Sequence, residues 1–98
     1  MFTDFAGRLV IIRGHRSGVH VGTLVANDDR RAELRTGRRI WRWRGANTLH
    51  ELALKGAAME SYTRISEAVE SIVILDALEI IPVAPQARAN LEVSRWLP

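Results

Sequence analysis

Residues Arg38-Arg39-Ile40-Trp41-Arg42-Trp43-Arg44-Gly45-Ala46 gather four arginines and two tryptophans before a glycine stops the run. A guanidinium carries five donors in a fork that matches phosphate, and its flat surface stacks on aromatic rings. Tryptophan adds the widest stacking surface and the strongest cation–π face. The chemistry on offer is capture of something anionic and flat, such as a nucleotide. A second reading stays open, in which the tryptophans fill the core and the arginines are solvated or paired with acids. If the stretch is a strand, alternation puts Arg39, Trp41 and Trp43 on one face and Arg38, Ile40, Arg42 and Arg44 on the other. The tryptophan face is expected to be core, because burying Trp41 and Trp43 costs less than burying Arg42 and Arg44. Base stacking would then come from a guanidinium or from a neighbouring subunit.

Two other places suit an anion. Gly14-His15-Arg16-Ser17-Gly18, with Arg13 at its base, has glycines that can turn successive amides into a nest, over which Arg16 could close. The alternative there is a plain solvated hairpin tip. Gly45-Ala46-Asn47, beside Arg44, precedes an expected helix, whose positive end favours negative charge. The candidate ligand-binding set is therefore Arg13, Arg16, Ser17, Arg38, Arg39, Trp41, Arg42, Trp43 and Arg44. His15 and His20 lie five apart on different elements, which is no metal-ligand spacing, and His20 reads as a half-buried strand residue. Asp76 and Glu79 are three apart and invite an acid/base reading, but no nucleophile motif or metal cluster accompanies them. Ion pairs with the arginine-rich half account for them better. No catalytic residue, metal or cofactor is expected, and the protein is read as a binder and not an enzyme.

Ninety-eight residues, 47% hydrophobic and 26% charged, suit one globular domain spanning 1–98. No apolar run approaches the roughly 18 residues of a membrane span, and residues 1–4 have no signal-peptide character. Cysteine is absent, which removes disulfides and thiol chemistry. These features lead to the expectation of a cytoplasmic protein without a membrane partner. Charge is segregated: residues 1–46 hold ten arginines against four acids, and residues 47–98 hold four basic residues against seven acids. Thirteen of the fourteen basic residues are arginine, which leans toward forked or stacked contacts or toward a GC-rich genome. Opposite halves of two copies could attract, so a homo-oligomer is expected. The apolar run at 72–81 also exceeds what so small a core should bury alone.

The elements that must position these residues follow from local pattern. Residues 7–13 and 19–25 are apolar and β-branched strands joined by the five-residue loop, with Gly22 marking a bulge or a close backbone approach. Asn27 to Arg30 is a turn, and Arg31 to Arg35 is a short charged edge strand. Thr36-Gly37 then turns into the arginine–tryptophan strand, which completes a four-stranded meander over 7–44. A capping box of Thr48 and Glu51 starts a helix over 48–55 that Gly56 ends, with Leu49, Leu52 and Ala53 inward and His50 outward. Tyr62 to Ile65 is a short strand. The run from Ile72 is a strand, a kink at Asp76 and a second strand at 77–83, and Pro85 opens a last helix reaching about Leu91. Trp96 is expected to pack on the sheet or on a neighbouring subunit. The fold class is α+β: a small antiparallel β-meander or SH3-like half-barrel with one short helix and a C-terminal helix.

Several motifs carry a resemblance. They are Ile12-Arg13 with Arg16-Ser17-Gly18-Val19 and Gly22-Thr23-Leu24, then Arg38-Arg39-Ile40-Trp41 with Trp43 and Gly45-Ala46. Further on come Glu51-Leu52-Ala53 with Gly56, and Leu75-Asp76-Ala77 with Glu79-Ile80-Ile81-Pro82. In this order they resemble a family of small phage- and prophage-encoded proteins carried as a domain of unknown function, with Arg42 where that family has an aromatic. Residues 7–23 also resemble the KOW-type, SH3-like hairpin of translation and transcription proteins.

The phage resemblance implies a host-cytoplasmic protein that counters bacterial defence. Some small phage proteins act as oligomeric sponges, sequestering cyclic-nucleotide or cyclic ADP-ribose-type signals without cleaving them. The expected partner is thus a nucleotide-like anionic small molecule. The KOW-like alternative is a small β-barrel nucleic-acid-binding module. A third class is a phage structural or interaction protein without ligand.

Overall fold

A computed structural model describes residues 4–93. The elements are β1 (Leu9–Gly14), β2 (Val19–Asp28), β3 (Arg31–Arg42), α1 (Leu49–Lys55), a 3₁₀ turn (Glu60–Tyr62), β4 (Arg64–Ile65), β5 (Val69–Ile74), β6 (Ala77–Pro82) and α2 (Pro85–Leu91). This is the expected α+β antiparallel meander with a short helix and a C-terminal helix. Trp96, expected to pack on the sheet or on a neighbour, lies outside the described residues.

Local chemistry explains most boundaries. The apolar run of β1 returns through Gly14–Gly18 into β2, with Arg13 opposite Val19 and Leu9 opposite Thr23. Glu51 N donates to Thr48 Oγ1 at 3.1 Å while Asn47 N donates to Glu51 Oε1 at 2.8 Å, so both arms of the capping box form, the second reaching one residue further back than usual. Gly56, at φ +76°, stops α1. Pro85 opens α2, and Asn90 ties that helix to the end of α1. Ala57 N donates to its Oδ1 at 2.8 Å, and its Nδ2 donates to Ala57 O at 2.9 Å.

One expected turn is absent. Residues 31–42 form a single strand, so three strands, not four, occupy this part of the chain. Thr36 and Gly37 are a bulge: Val21 pairs with Arg38 and Thr23 with Arg35, leaving Gly22 opposite two residues. Thr36 takes φ +53° there. A Cβ on Gly22 would stand 3.1 Å from Gly37 Cα, which is the close backbone approach its glycine suggests. Nor is the 31–35 segment an edge, since β5 pairs along its other side from Ala32–Ile74 to Gly37–Val69.

The sheet runs β4-β3-β2-β1-β6, with β5 beside β4 along the same edge of β3. Leu75 and Asp76 alone connect β5 to β6, so the two ends of the path β5-β3-β2-β1-β6 are joined and the sheet must curl. Strand β1, between β2 and β6, is consequently buried on both faces. Leu9 and Ile11 join Val21, Ile40, Leu52, Ile65, Ala87 and Leu91 under the helices. Val10 and Ile12 join Leu24, Ala32, Leu34 and Ile74 inside the curl.

That arrangement corrects the assignment of faces on the arginine–tryptophan strand. Ile40 is the core residue, 1% exposed, and Trp41 is 55% exposed. The helices chose the face: Leu52, Ala87 and Leu91 cover the side of β3 that carries Ile40, opposite Ile65 of β4. Trp43 lies past the strand's end and packs, partly buried, against the same helix-side core. The two tryptophans therefore do not act together.

Candidate functional site

Trp41, Arg38, Arg39 and Gly37 of β3 line a groove of about 280 Å³ with His20 of β2, Ser66 and Glu67 of the β4–β5 connection, and Val69 and Ile72 of β5. Register places the floor. His20 stands opposite Arg39, and Gly37 stands opposite Val69, so β2, β3 and β5 converge there. The bulge shapes it further, because a Cβ on Gly37 would come within 2.6 Å of Ile72 Cγ2. Arg39 is held by its backbone: its N donates to Ser66 Oγ at 2.8 Å, and Ser66 N donates to its carbonyl at 2.9 Å. The exposed guanidinium of Arg39 is thus fixed at its base and open at its tip, and the indole of Trp41 on the same strand is exposed.

His20 lies 2% exposed at the floor; the sequence reading made it half-buried. Burial first, and the nearby Arg39 charge second, hold its pKa below the ordinary 6.5, against an opposing pull from Asp76. Its Nε2 is 3.0 Å from Ser17 Oγ. Ser17 Oγ has one proton and donates it to Asp76 Oδ1 at 2.7 Å, so His20 Nε2 must carry the hydrogen of its contact. The chain reads carboxylate, hydroxyl, imidazole. In a nucleophilic triad the imidazole stands between the other two and takes the hydroxyl proton. Here the hydroxyl is committed to the carboxylate, and the arrangement positions rather than activates.

The same carboxylate answers the question of an anion nest in the Gly14–Gly18 loop. The loop does cradle an anion, and the anion is Asp76. Arg16 N and Ser17 N donate to Asp76 Oδ2 at 2.7 and 2.9 Å, while His15 N donates to the Asp76 carbonyl at 2.9 Å. The amide of Arg16, then the hydroxyl and amide of Ser17, hold its carboxyl far below the usual range. Gly14 is required at the base, because any Cβ would collide with Ser17 Oγ and approach Asp76 Oδ1 to 2.9 Å. Of the two acids read as ion-pair partners, Glu79 does meet Arg13, at 3.6 Å. Asp76 instead bonds amides and a hydroxyl.

The nine candidate residues are thus divided. Arg38, Arg39 and Trp41 share the groove. Arg13 lies in a separate cleft with Glu79, Thr48, Leu49 and His50. Arg16 and Ser17 hold Asp76. Arg42 pairs across the sheet with Arg64, Trp43 joins the core, and the Arg44 guanidinium stands 5.4 Å over the Tyr62 ring. At the start of α1 the amide of Asn47 is taken by Glu51. Sequence reasoning missed His20, Ser66, Glu67, Val69 and Ile72. Only the ladder pairings bring them to Trp41, and no local pattern encodes those pairings. Among the described residues, no group of three or more His, Asp or Glu side chains is placed to hold a metal ion, and no helix is long and apolar enough to cross a membrane.

Compared with known families, residues 7–91 match the model of a family described as Domain of unknown function (DUF6948). The chain belongs to this family. The match takes in every strand and both helices of the DUF6948 chain, so the groove and the Asp76-bound loop both fall within it. No curated protein and no solved structure matches the chain.

Proposed function

We propose that this protein binds a nucleotide-derived anionic small molecule in the Trp41 groove and sequesters it without chemical change. The observation that carries the reading is the exposed indole of Trp41 beside the Arg39 guanidinium. An indole left in water offers a stacking face, and a guanidinium next to it offers a phosphate fork. At about 280 Å³ the groove falls just under the roughly 300–1,000 Å³ of small-molecule clefts, a size for one nucleotide unit. Since the Ser17 proton is committed to Asp76, the reading is of a binder. The resemblance to phage-encoded proteins supplies a setting: removing a cyclic-nucleotide or cyclic ADP-ribose-type signal would silence a host defence.

The test is titration of the protein with cyclic mono- and dinucleotides, cyclic ADP-ribose-type compounds and short oligonucleotides, followed by tryptophan fluorescence and calorimetry. Binding should quench the Trp41 component, and recovered ligand should be unchanged. Arg39→Ala should lose about 1–3 kcal/mol of affinity, the worth of a charge-assisted contact, with the fold retained. Arg44→Ala should change little, because its guanidinium is engaged over Tyr62. Oligonucleotide binding that weakens steeply with salt, with no small-molecule binding, would replace this reading by a nucleic-acid module.

A further inference from the structure

The pairing of β3 with β4 beyond Ile40 changes which residues border the groove. Ile40 stands opposite Ile65 and Arg42 opposite Arg64, so β3 advances two residues while β4 advances one. Trp41 is the extra residue, and a bulge of this kind re-aims the side chains around it. Ile40 and Ile65 belong to the helix-side core, and Trp43 packs against that same core. Trp41 and Arg42, both exposed between them, therefore turn together to the other face. Arg64 is on that face too, because alternation sets it with Ser66, which lines the groove, and away from buried Ile65. The groove thus continues from Arg39 and Trp41 onto a pair of opposed arginines.

Like charges directly opposite across a ladder are destabilising, and among the described residues no acid neutralises this pair. Ion pairs there join Arg13 to Glu79, Arg31 to Asp28 and Arg88 to Glu92. Glu67, on the groove rim, pairs with neither arginine. Arg64 Nη1 donates to the carbonyls of Ser61 and Thr63 at 2.9 and 3.1 Å, which fixes that guanidinium and leaves its Nε and Nη2 hydrogens open. Arg42 is exposed, and its guanidinium makes no hydrogen bond among the described residues. We propose that Arg42 and Arg64 together hold a phosphate group beside the Trp41 groove. One bidentate fork already fills the two oxygens of a carboxylate, whereas a phosphate has oxygens enough to accept from two guanidinia. Such a group removes the repulsion between the arginines, and one of the two forks is already in place to receive it. Resting on the reading of the groove as a nucleotide site, a further consequence is that the ligand carries two phosphates, one at Arg39 and one at this pair.

Inorganic pyrophosphate tests the pair without any base. At millimolar concentration and matched ionic strength it should raise the melting temperature of the full chain, as a ligand of the native state does. Arg42→Gln should melt no lower than wild type in chloride alone, because it relieves the repulsion, and should lose the pyrophosphate shift; Arg64→Gln should lose the shift as well. Arg30→Gln changes net charge equally at the exposed β2–β3 turn and should keep it. Calorimetry with AMP and with the 5′-phosphorylated dinucleotide pApA then tests the second phosphate. Wild type should bind pApA at least about tenfold more tightly than AMP, the share of a charge-assisted contact, and Arg42→Gln should abolish that preference while leaving AMP binding unchanged. A single-stranded decamer identifies the source of the phosphate: it binds no better than pApA if the ligand is small, and more tightly with steep salt dependence if the ligand is a chain. If pyrophosphate shifts the melt but neither AMP nor pApA binds, the arginine pair stands and the groove reading falls. The proposal is overturned if pyrophosphate leaves the wild-type melt unmoved, if the shift survives in Arg42→Gln, or if Arg30→Gln loses it equally.

Discussion

Replacing Ile40 and Trp41 separately by alanine tests which face of β3 is core, and the structure sets the expected sizes. Ile40 is 1% exposed between Leu52 and Ile65. Its truncation removes three carbons, about 2.4 kcal/mol of transfer free energy at about 0.8 kcal/mol each. The cavity left under the helices brings the total to about 3–5 kcal/mol. Trp41 is 55% exposed, so it hides less than half of a side chain that buries up to about 250 Å² elsewhere. That is roughly 110 Å², worth at most about 3 kcal/mol at about 25 cal/mol/Å². The alanine Cβ retains part of this area, the unfolded chain already hides some of it, and an open groove leaves no sealed cavity. About 1–2 kcal/mol remains. Urea unfolding followed by far-UV circular dichroism, which does not depend on the deleted indole, measures both changes on one scale. Ligand titration should show the reverse order, with Trp41→Ala losing binding and Ile40→Ala keeping it wherever the protein is folded. If Trp41→Ala proves the more destabilising by 2 kcal/mol or more, the helices do not cover the Ile40 face and the groove is not a groove.

Four further outcomes are expected. Gly14→Ala should destabilise by about 1–3 kcal/mol, as overpacking does, because its Cβ would displace Ser17 Oγ from Asp76; thermal melting measures it. Gly37→Ala should cost a similar about 1–3 kcal/mol by the same mechanism, the clash falling on Ile72, and Ile72→Ala in the same chain should recover part of the loss. Asn90→Ala removes two hydrogen bonds to Ala57 and should cost about 1–3 kcal/mol in urea melts, each such bond being worth about 0.5–1.5 kcal/mol. Stability should also fall as the pH drops below about 6.5. His20 is held below that value in the fold, so the unfolded chain takes up the proton first and gains from acid. Melting temperatures across pH 7 to 5 should show this decline, and His20→Gln should flatten it. The Asp76 limb, also lost on acidification, begins lower, where ordinary carboxylates titrate.

The sequence by itself determined what depends on neighbours along the chain. Helix α1 lies between Thr48 with Glu51 and Gly56 because capping satisfies amides within one turn, and Pro85 opens α2 because its missing N–H and fixed φ suit a helix's first position. The first hairpin and the break at Asp76 follow from β-branched runs and the residues between them. Gly22 announced a close approach without saying what approaches. The choice of arginine and tryptophan for an anion also needs no fold. Tertiary structure decided everything that depends on partners distant in the chain. Thr36-Gly37 looks like a turn from its composition, but ladders on both sides hold β3 straight through it and leave a bulge. The nest at Arg16 and Ser17 is filled by a carboxylate some sixty residues away, a pairing that strand order alone creates. Alternation correctly separated Ile40 from Trp41. It could not say which face the helices would cover, because that depends on where Leu52, Ala87 and Leu91 settle once the sheet has curled.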